Sequence, residues 1–209
     1  MTPASRQPKV RREDLIQAAL AILEEDDSKQ LYLREVCRRV KLSQTAAYTV
    51  FGKEKDGGGL TALLAAVAAV GFERLAKLLK DDADNTPANP VAVLEAFGHT
   101  YLDFARSHPR LYRLMFGDEL KGQLRFEDLV VARRSVQDLL QKAIAKARQA
   151  GLVKGRSDLE HALHAWATLH GLFELLLDGQ LDLVFNPAEA ETFVDDSIRT
   201  LVSNMKERI

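Results

Sequence analysis

The sequence predicts an all-α fold of about nine helices: a three-helix helix-turn-helix head, then a helical bundle. Three observations lead there. Apolar residues recur at three- and four-residue spacing along most of the chain. The breaks in that periodicity hold Gly, Pro, Asn or Asp. No stretch shows the strict alternation of a half-buried strand, and there is no internal repeat or low-complexity segment. The 209 residues suffice for one or two compact units, and the punctuation divides them into 1–56 and 60–209.

Residues 1–9, with Pro3 and Pro8, read as a flexible arm. Arg6, Lys9, Arg11 and Arg12 form a basic cluster there, either a solvated tail or a group that reaches phosphates. Residues 10–25 form the first helix, with Leu15, Ala18, Ala19, Ile22 and Leu23 on one face, and Asp26-Asp27-Ser28 breaks it. In residues 33–51, Leu33, Val36, Cys37 and Val40 give one buried stripe. Ser43 then caps a second short helix through Ala46, Ala47, Val50 and Phe51. Neither helix is long enough to be stable alone, so the first helix must clamp them. In such a unit the second short helix enters a DNA major groove, although short helix pairs also occur in proteins that never touch DNA.

Gly57-Gly58-Gly59 predicts a flexible joint between head and bundle. No Gly-Lys-Ser/Thr follows and no strand precedes, so it is not a phosphate-binding loop. Residues 60–80 form a long helix with Leu60, Leu64, Val67, Gly71, Leu75 and Leu78 or Leu79 inward, and Asp81 to Pro90 a loop. Helices follow at 91–107, at the short RLYRLMF segment begun by Pro109, and at 121–149. Ser157-x-x-Glu160 is a capping box that opens a helix over 157–178, and Asn186-Pro187 precedes a last helix over about 188–206.

The net charge of -1 excludes a polycation, but residues 1–55 carry eleven Lys/Arg against eight Asp/Glu, whereas 56–209 carry eighteen against twenty-two. The basic surplus coincides with the helix-turn-helix, where phosphate contact needs it. The single cysteine, Cys37, reads as a small buried residue. No signal-peptide pattern and no membrane-length apolar run is present, so a cytoplasmic protein without membrane association is expected. His161, His164 and His170 have no second cluster beside them, and no nucleophile–base relation emerges. No metal site, no cofactor and no enzymatic activity are expected.

The run LREVCRRVKLSQTAAYTVFGKEKDGGGL resembles the head of the TetR family of transcriptional regulators. Val36 and Cys37 match the family's buried positions, Leu42-Ser43 its turn and cap, Tyr48 its phosphate-contacting aromatic and Phe51 its core aromatic. Lys53 or Lys55 stands in for the lysine that pins a phosphate. The chain departs from the pattern at Lys41 for the turn glycine, Thr45-Ala46 for Gly-Thr, Val50 for a histidine or tyrosine, and the triple glycine. In the body, YLDFARSHPRLYRLMF and WATLHGLFELLLDG resemble the family's Trp-His-Gly subgroup, with Trp166 and His170-Gly171 in place.

That resemblance implies a regulator, usually a repressor, that binds a palindromic double-stranded DNA operator as a homodimer and is released by a small-molecule effector. The dimer forms through the last two helices, about 157–178 and 188–206. Ser43, Gln44, Thr45 and Tyr48 are the candidate groove-facing residues: Gln44 suits an adenine edge, Thr45 a thymine methyl or phosphate, and Tyr48 the backbone. Arg38, Arg39, Lys41, Lys53 and Lys55 either contact flanking phosphates or are ordinary solvated cations. Phe97, Tyr101, Met115, Phe116, Trp166, His170 and Phe173 are the effector-pocket candidates, with core packing as the alternative. A second reading is a ligand-binding helical dimer whose divergent head lacks specific operator binding.

Overall fold

The protein is described from a computed structural model that covers residues 11–25, 31–53, 57–86 and 89–206. The predicted arm with Arg6 and Lys9, the Asp26-Asp27-Ser28 break and Lys55 lie outside those residues. The fold is all-α, with nine α-helices among the described residues. The head comprises α1 (Arg12–Glu25), α2 (Leu33–Arg39) and α3 (Gln44–Phe51). The bundle comprises α4 (Gly59–Asn85), α5 (Pro90–Ser107), α6 (Pro109–Phe116), α7 (Glu127–Gln149), α8 (Asp158–Leu177) and α9 (Pro187–Asn204).

The spine is α4, which packs against α1, α3, α5, α6 and α7. Its alanines, Ala65, Ala66, Ala68 and Ala69, are buried with Leu63, Val67, Phe72, Leu75 and Leu79, so neighbours close on several sides. Leu79 points inward and Leu78 outward, which resolves the predicted alternative. Gly71 lets α6 approach: a Cβ there would lie 2.6 Å from the Met115 sulfur. Similarly, a Cβ on Gly98 of α5 would lie 2.7 Å from Ile198 Cγ2 of α9. Apolar contact continues from Leu15 in the head to Met205 at the end of α9.

Three expectations need correction. The predicted loop from Asp81 is still helix as far as Asn85, because Lys77 pairs with Asp81 at 2.8 Å and Thr100 donates to Asp82 at 2.5 Å. The helix predicted from 121 begins at Glu127, after a short 3-10 turn at Asp118–Leu120 and further turns. The triple glycine is not a loose joint. Gly58 N–H donates to the Lys53 carbonyl at 2.9 Å and Gly59 N–H to the Gly52 carbonyl at 2.8 Å. A side chain at Gly58 would collide with the Phe51 carbonyl oxygen, so close backbone approach demands glycine there.

Candidate functional site

The turn between α2 and α3 fixes how α3 is presented. Leu42 N–H donates to the Cys37 carbonyl at 2.9 Å and Lys41 N–H to the Arg38 carbonyl at 3.2 Å. That pair of bonds is a Schellman closure. The same pattern ends α7 at Gly151 and α8 at Gly179. Lys41 has φ 55°, the one non-glycine positive φ among the described residues, so it adopts the conformation glycine supplies elsewhere. The turn survives the departure in sequence.

Ser43 then caps α3, its Oγ accepting from Ala46 N–H at 3.2 Å. Ala47 and Phe51 are buried, and Tyr48 is half-buried against the core. Ser43, Gln44 and Thr45 are exposed at the N-terminal end of α3, with Thr45 on the side away from Ala47 and Phe51. Thr49 is exposed one turn beyond Thr45, a position sequence reasoning passed over, although the spacing of four identifies it. Val50 is half-buried and packs on the core.

The flanking cations differ in their freedom. Arg38 forms a two-pronged pair with Glu35, at 2.8 and 2.6 Å, and Arg39 one with Glu25, at 2.7 and 2.6 Å. The carboxylate bonds hold both guanidiniums above their usual pKa. Arg12, from the predicted basic arm, instead pairs with Asp128 of α7 at 2.8 Å and lies over the Phe51 ring. Lys41 and Lys53 are exposed.

In the bundle, a cavity of about 80 Å³ lies among α4, α5, α6, α7, α8 and α9. Of the seven predicted pocket residues, Phe97, Tyr101, Phe116 and Trp166 line it. Met115 turns instead toward Gly71, and Phe173 is fully buried behind Tyr101, stacked at 5.0 Å between ring centroids. His170 stands outside the wall, where its Nδ1 meets the Tyr112 hydroxyl at 2.6 Å. That hydroxyl also meets Tyr101 Oη at 3.0 Å, so a hydrogen-bonded chain runs Tyr101–Tyr112–His170. Burial pushes both phenols above their ordinary pKa and keeps them protonated. His170 therefore bonds a tyrosine hydroxyl rather than a backbone carbonyl.

Sequence reasoning missed the α7 wall of this cavity, Arg133, Val136, Gln137, Leu140 and Gln141. On a helix rich in Arg, Gln and Lys, those polar residues read as a solvated face. His161 is buried, with Nε2 at 2.9 Å from the Lys154 carbonyl, and His164 is exposed. Among the described residues, no cluster of His, Cys, Asp or Glu is placed to hold a metal, and no helix is long and apolar enough to cross a membrane.

A helix-turn-helix head joined to a six-helix bundle with a cavity among its helices is the architecture of a transcriptional regulator. Residues 94–201, just over half the chain, match the family described as "Tetracyclin repressor-like, C-terminal domain". The chain belongs to that family, whose regulators are DNA-binding proteins rather than enzymes. Among curated proteins none matches significantly. Among solved structures, a Rhodococcus sp. RHA1 protein with unknown function is 27% identical, with TM-score 0.75 over 99% of this chain and 100% of that one. The fatty acid degradation regulator FadR from Bacillus halodurans is 13% identical, with TM-score 0.68 over 98% and 100%. The TetR-family transcriptional regulator PfmR from Thermus thermophilus is 13% identical, with TM-score 0.63 over 93% and 99%. The last two are similar in fold alone.

Proposed function

We propose that this protein is a homodimeric, effector-released transcriptional repressor of the Trp-His-Gly subgroup, with residues 1–56 reading a palindromic operator and 60–209 binding effector and partner. The observation that carries the reading is the presentation of α3. Ala47 and Phe51 lock one face into the core, while Ser43, Gln44 and Thr45 stand exposed at the N-terminal end and Thr49 one turn further on. Gln44 and Thr45 have the donors, acceptors and methyl group that base edges require. Lys41 and Lys53 supply phosphate contacts on either side, and Lys55 is placed with them by sequence. Arg38 contributes less while Glu35 holds it.

The partner face is the outer side of α8. Ala167 and Gly171 are exposed there, one turn apart, between exposed Leu163 and Leu175. Phe193 is exposed on α9. Small residues admit a second helix closely, and the leucines give it apolar area to bury. The effector binds in the cavity lined by Phe97, Tyr101, Phe116 and Trp166. It releases DNA only if it binds the poorly spaced conformation of the heads more tightly.

The test is enrichment of bound sequences from random double-stranded DNA, followed by gel-shift titration across salt concentrations. The expected result is a palindromic motif whose half-sites are separated by about one helical turn or a multiple of it. Enrichment of no motif, with only steeply salt-dependent binding to all sequences, refutes operator recognition and leaves a ligand-binding dimer with a divergent head.

A further inference from the structure

The cavity wall is apolar except along one strip. Arg133, Gln137 and Gln141 follow at four-residue intervals on α7, and all three line it. No Asp or Glu does. Arg133 is half-buried, its guanidinium over the Phe72 ring at 5.3 Å from the centroid. Its Nη2 donates to the Met115 carbonyl at 3.3 Å, a long bond that engages one of five N–H donors. Among the described residues no carboxylate pairs with it. By contrast, Arg12, Arg39, Arg74, Arg106, Arg113 and Arg148 each hold a carboxylate within 3.0 Å. The amides of Gln137 and Gln141 have no hydrogen-bond partner among the described residues.

A partly desolvated cation without a counter-charge is costly, and a bound anion offsets that cost. Desolvation pulls the Arg133 pKa below its usual value, yet a guanidinium remains protonated at any working pH. We propose that the cavity selects a monocarboxylate with an apolar body, its carboxylate paired with Arg133 and accepting from the Gln137 amide, its hydrocarbon part among Phe97, Leu140 and Ile198. This rests on the cavity being the effector site. One guanidinium balances one negative charge. A phosphate dianion leaves a surplus charge against an apolar wall, and an ammonium ligand meets repulsion.

Trp166, the single tryptophan, lines the same cavity and reports occupancy through its fluorescence. Hexanoic, decanoic and tetradecanoic acids are titrated into the full chain, each beside its matching primary alcohol. The expected result is at least about tenfold tighter binding of an acid than of its alcohol. Arg133→Met abolishes that preference and leaves alcohol affinity in place, and Arg133→Lys retains part of it. Circular dichroism checks that both variants are folded. Equal affinity for acid and alcohol in the unsubstituted protein, or a preference that persists in Arg133→Met, overturns the anion proposal and leaves the cavity as an apolar effector site. Binding of neither acids nor alcohols overturns both.

Discussion

The Arg110 guanidinium donates through Nη1 to the main-chain carbonyl of Ile22 at 2.9 Å, so the first turn of α6 grips the last turn of α1. A cation suits that site, because a helix C-terminus carries partial negative charge. The other end of α6 carries Phe116, which lines the cavity. Eight residues thus connect the cavity to the head. Arg110→Ala should lower stability by about 1–3 kcal/mol, as loss of a charged hydrogen bond does. Urea unfolding measures this. On the proposed function, DNA release by an effector should also become less complete in this variant, seen as residual gel-shifted complex at saturating ligand.

Lys41 occupies the left-handed region without glycine's freedom, at a strain of about 1–2 kcal/mol. Lys41→Gly removes the strain but loosens the unfolded chain, for a net gain of about 0.5–1 kcal/mol. Lys41→Val should be worse than the lysine, because branching at Cβ fits that region poorly. Thermal and denaturant midpoints of the three proteins should rank Gly, Lys, Val. Any other order refutes the strain account.

Gly98→Ala places a methyl against Ile198 Cγ2 between α5 and α9 and should cost about 1–3 kcal/mol. Ile198→Ala removes the obstructing atom. The double variant should therefore be more stable than the sum of the single effects, and a double-mutant cycle gives the coupling. Gly71→Ala should cost less, because its nearest obstacle is the flexible Met115 thioether.

Tyr112→Phe deletes the hydroxyl at the centre of the Tyr101–Tyr112–His170 chain. Two polar groups lose a partner in a largely apolar setting, which should cost about 1–3 kcal/mol. His170→Phe in the same background should cost less than it does alone. Chemical denaturation of both singles and the double checks this.

Gly171 faces open space on α8, so nothing within one chain resists a larger side chain. On the proposed dimer, Gly171→Glu inserts bulk and charge between paired helices. The helical circular dichroism should persist while sedimentation shifts from dimer toward monomer. A dimer undiminished at micromolar concentration would move the interface away from this face.

Much of this was legible in the sequence, and the rest has physical reasons for being hidden. Apolar periodicity located the helices because each must bury a face, and the Ser157 capping box marked one start directly, whereas Asn186 read only as a turn although it caps α9. Helix ends were less legible. The acidic end of α4 looks like a loop until Lys77 and Thr100 supply partners for Asp81 and Asp82. Within the cavity, large aromatics betrayed the wall on α5, α6 and α8. They did not separate Phe116, which lines it, from Phe173, which packs behind it. Arg133 was illegible because periodicity assigns a polar residue to solvent, whereas its neighbours Phe72 and Met115 come from helices distant in sequence.

The 27 residues of α4 make a rod roughly 40 Å long that starts against α3 and runs along the cavity. A rod converts rotation into travel. Tilting it by about 6.5° about Leu79, roughly 30 Å along it from Gly59, displaces the head end by roughly 3.4 Å, the rise of one nucleotide along a DNA strand. On the proposed homodimer, heads carried by two such rods fall out of phase with a double helix without unfolding. A few degrees of leverage suffice for that.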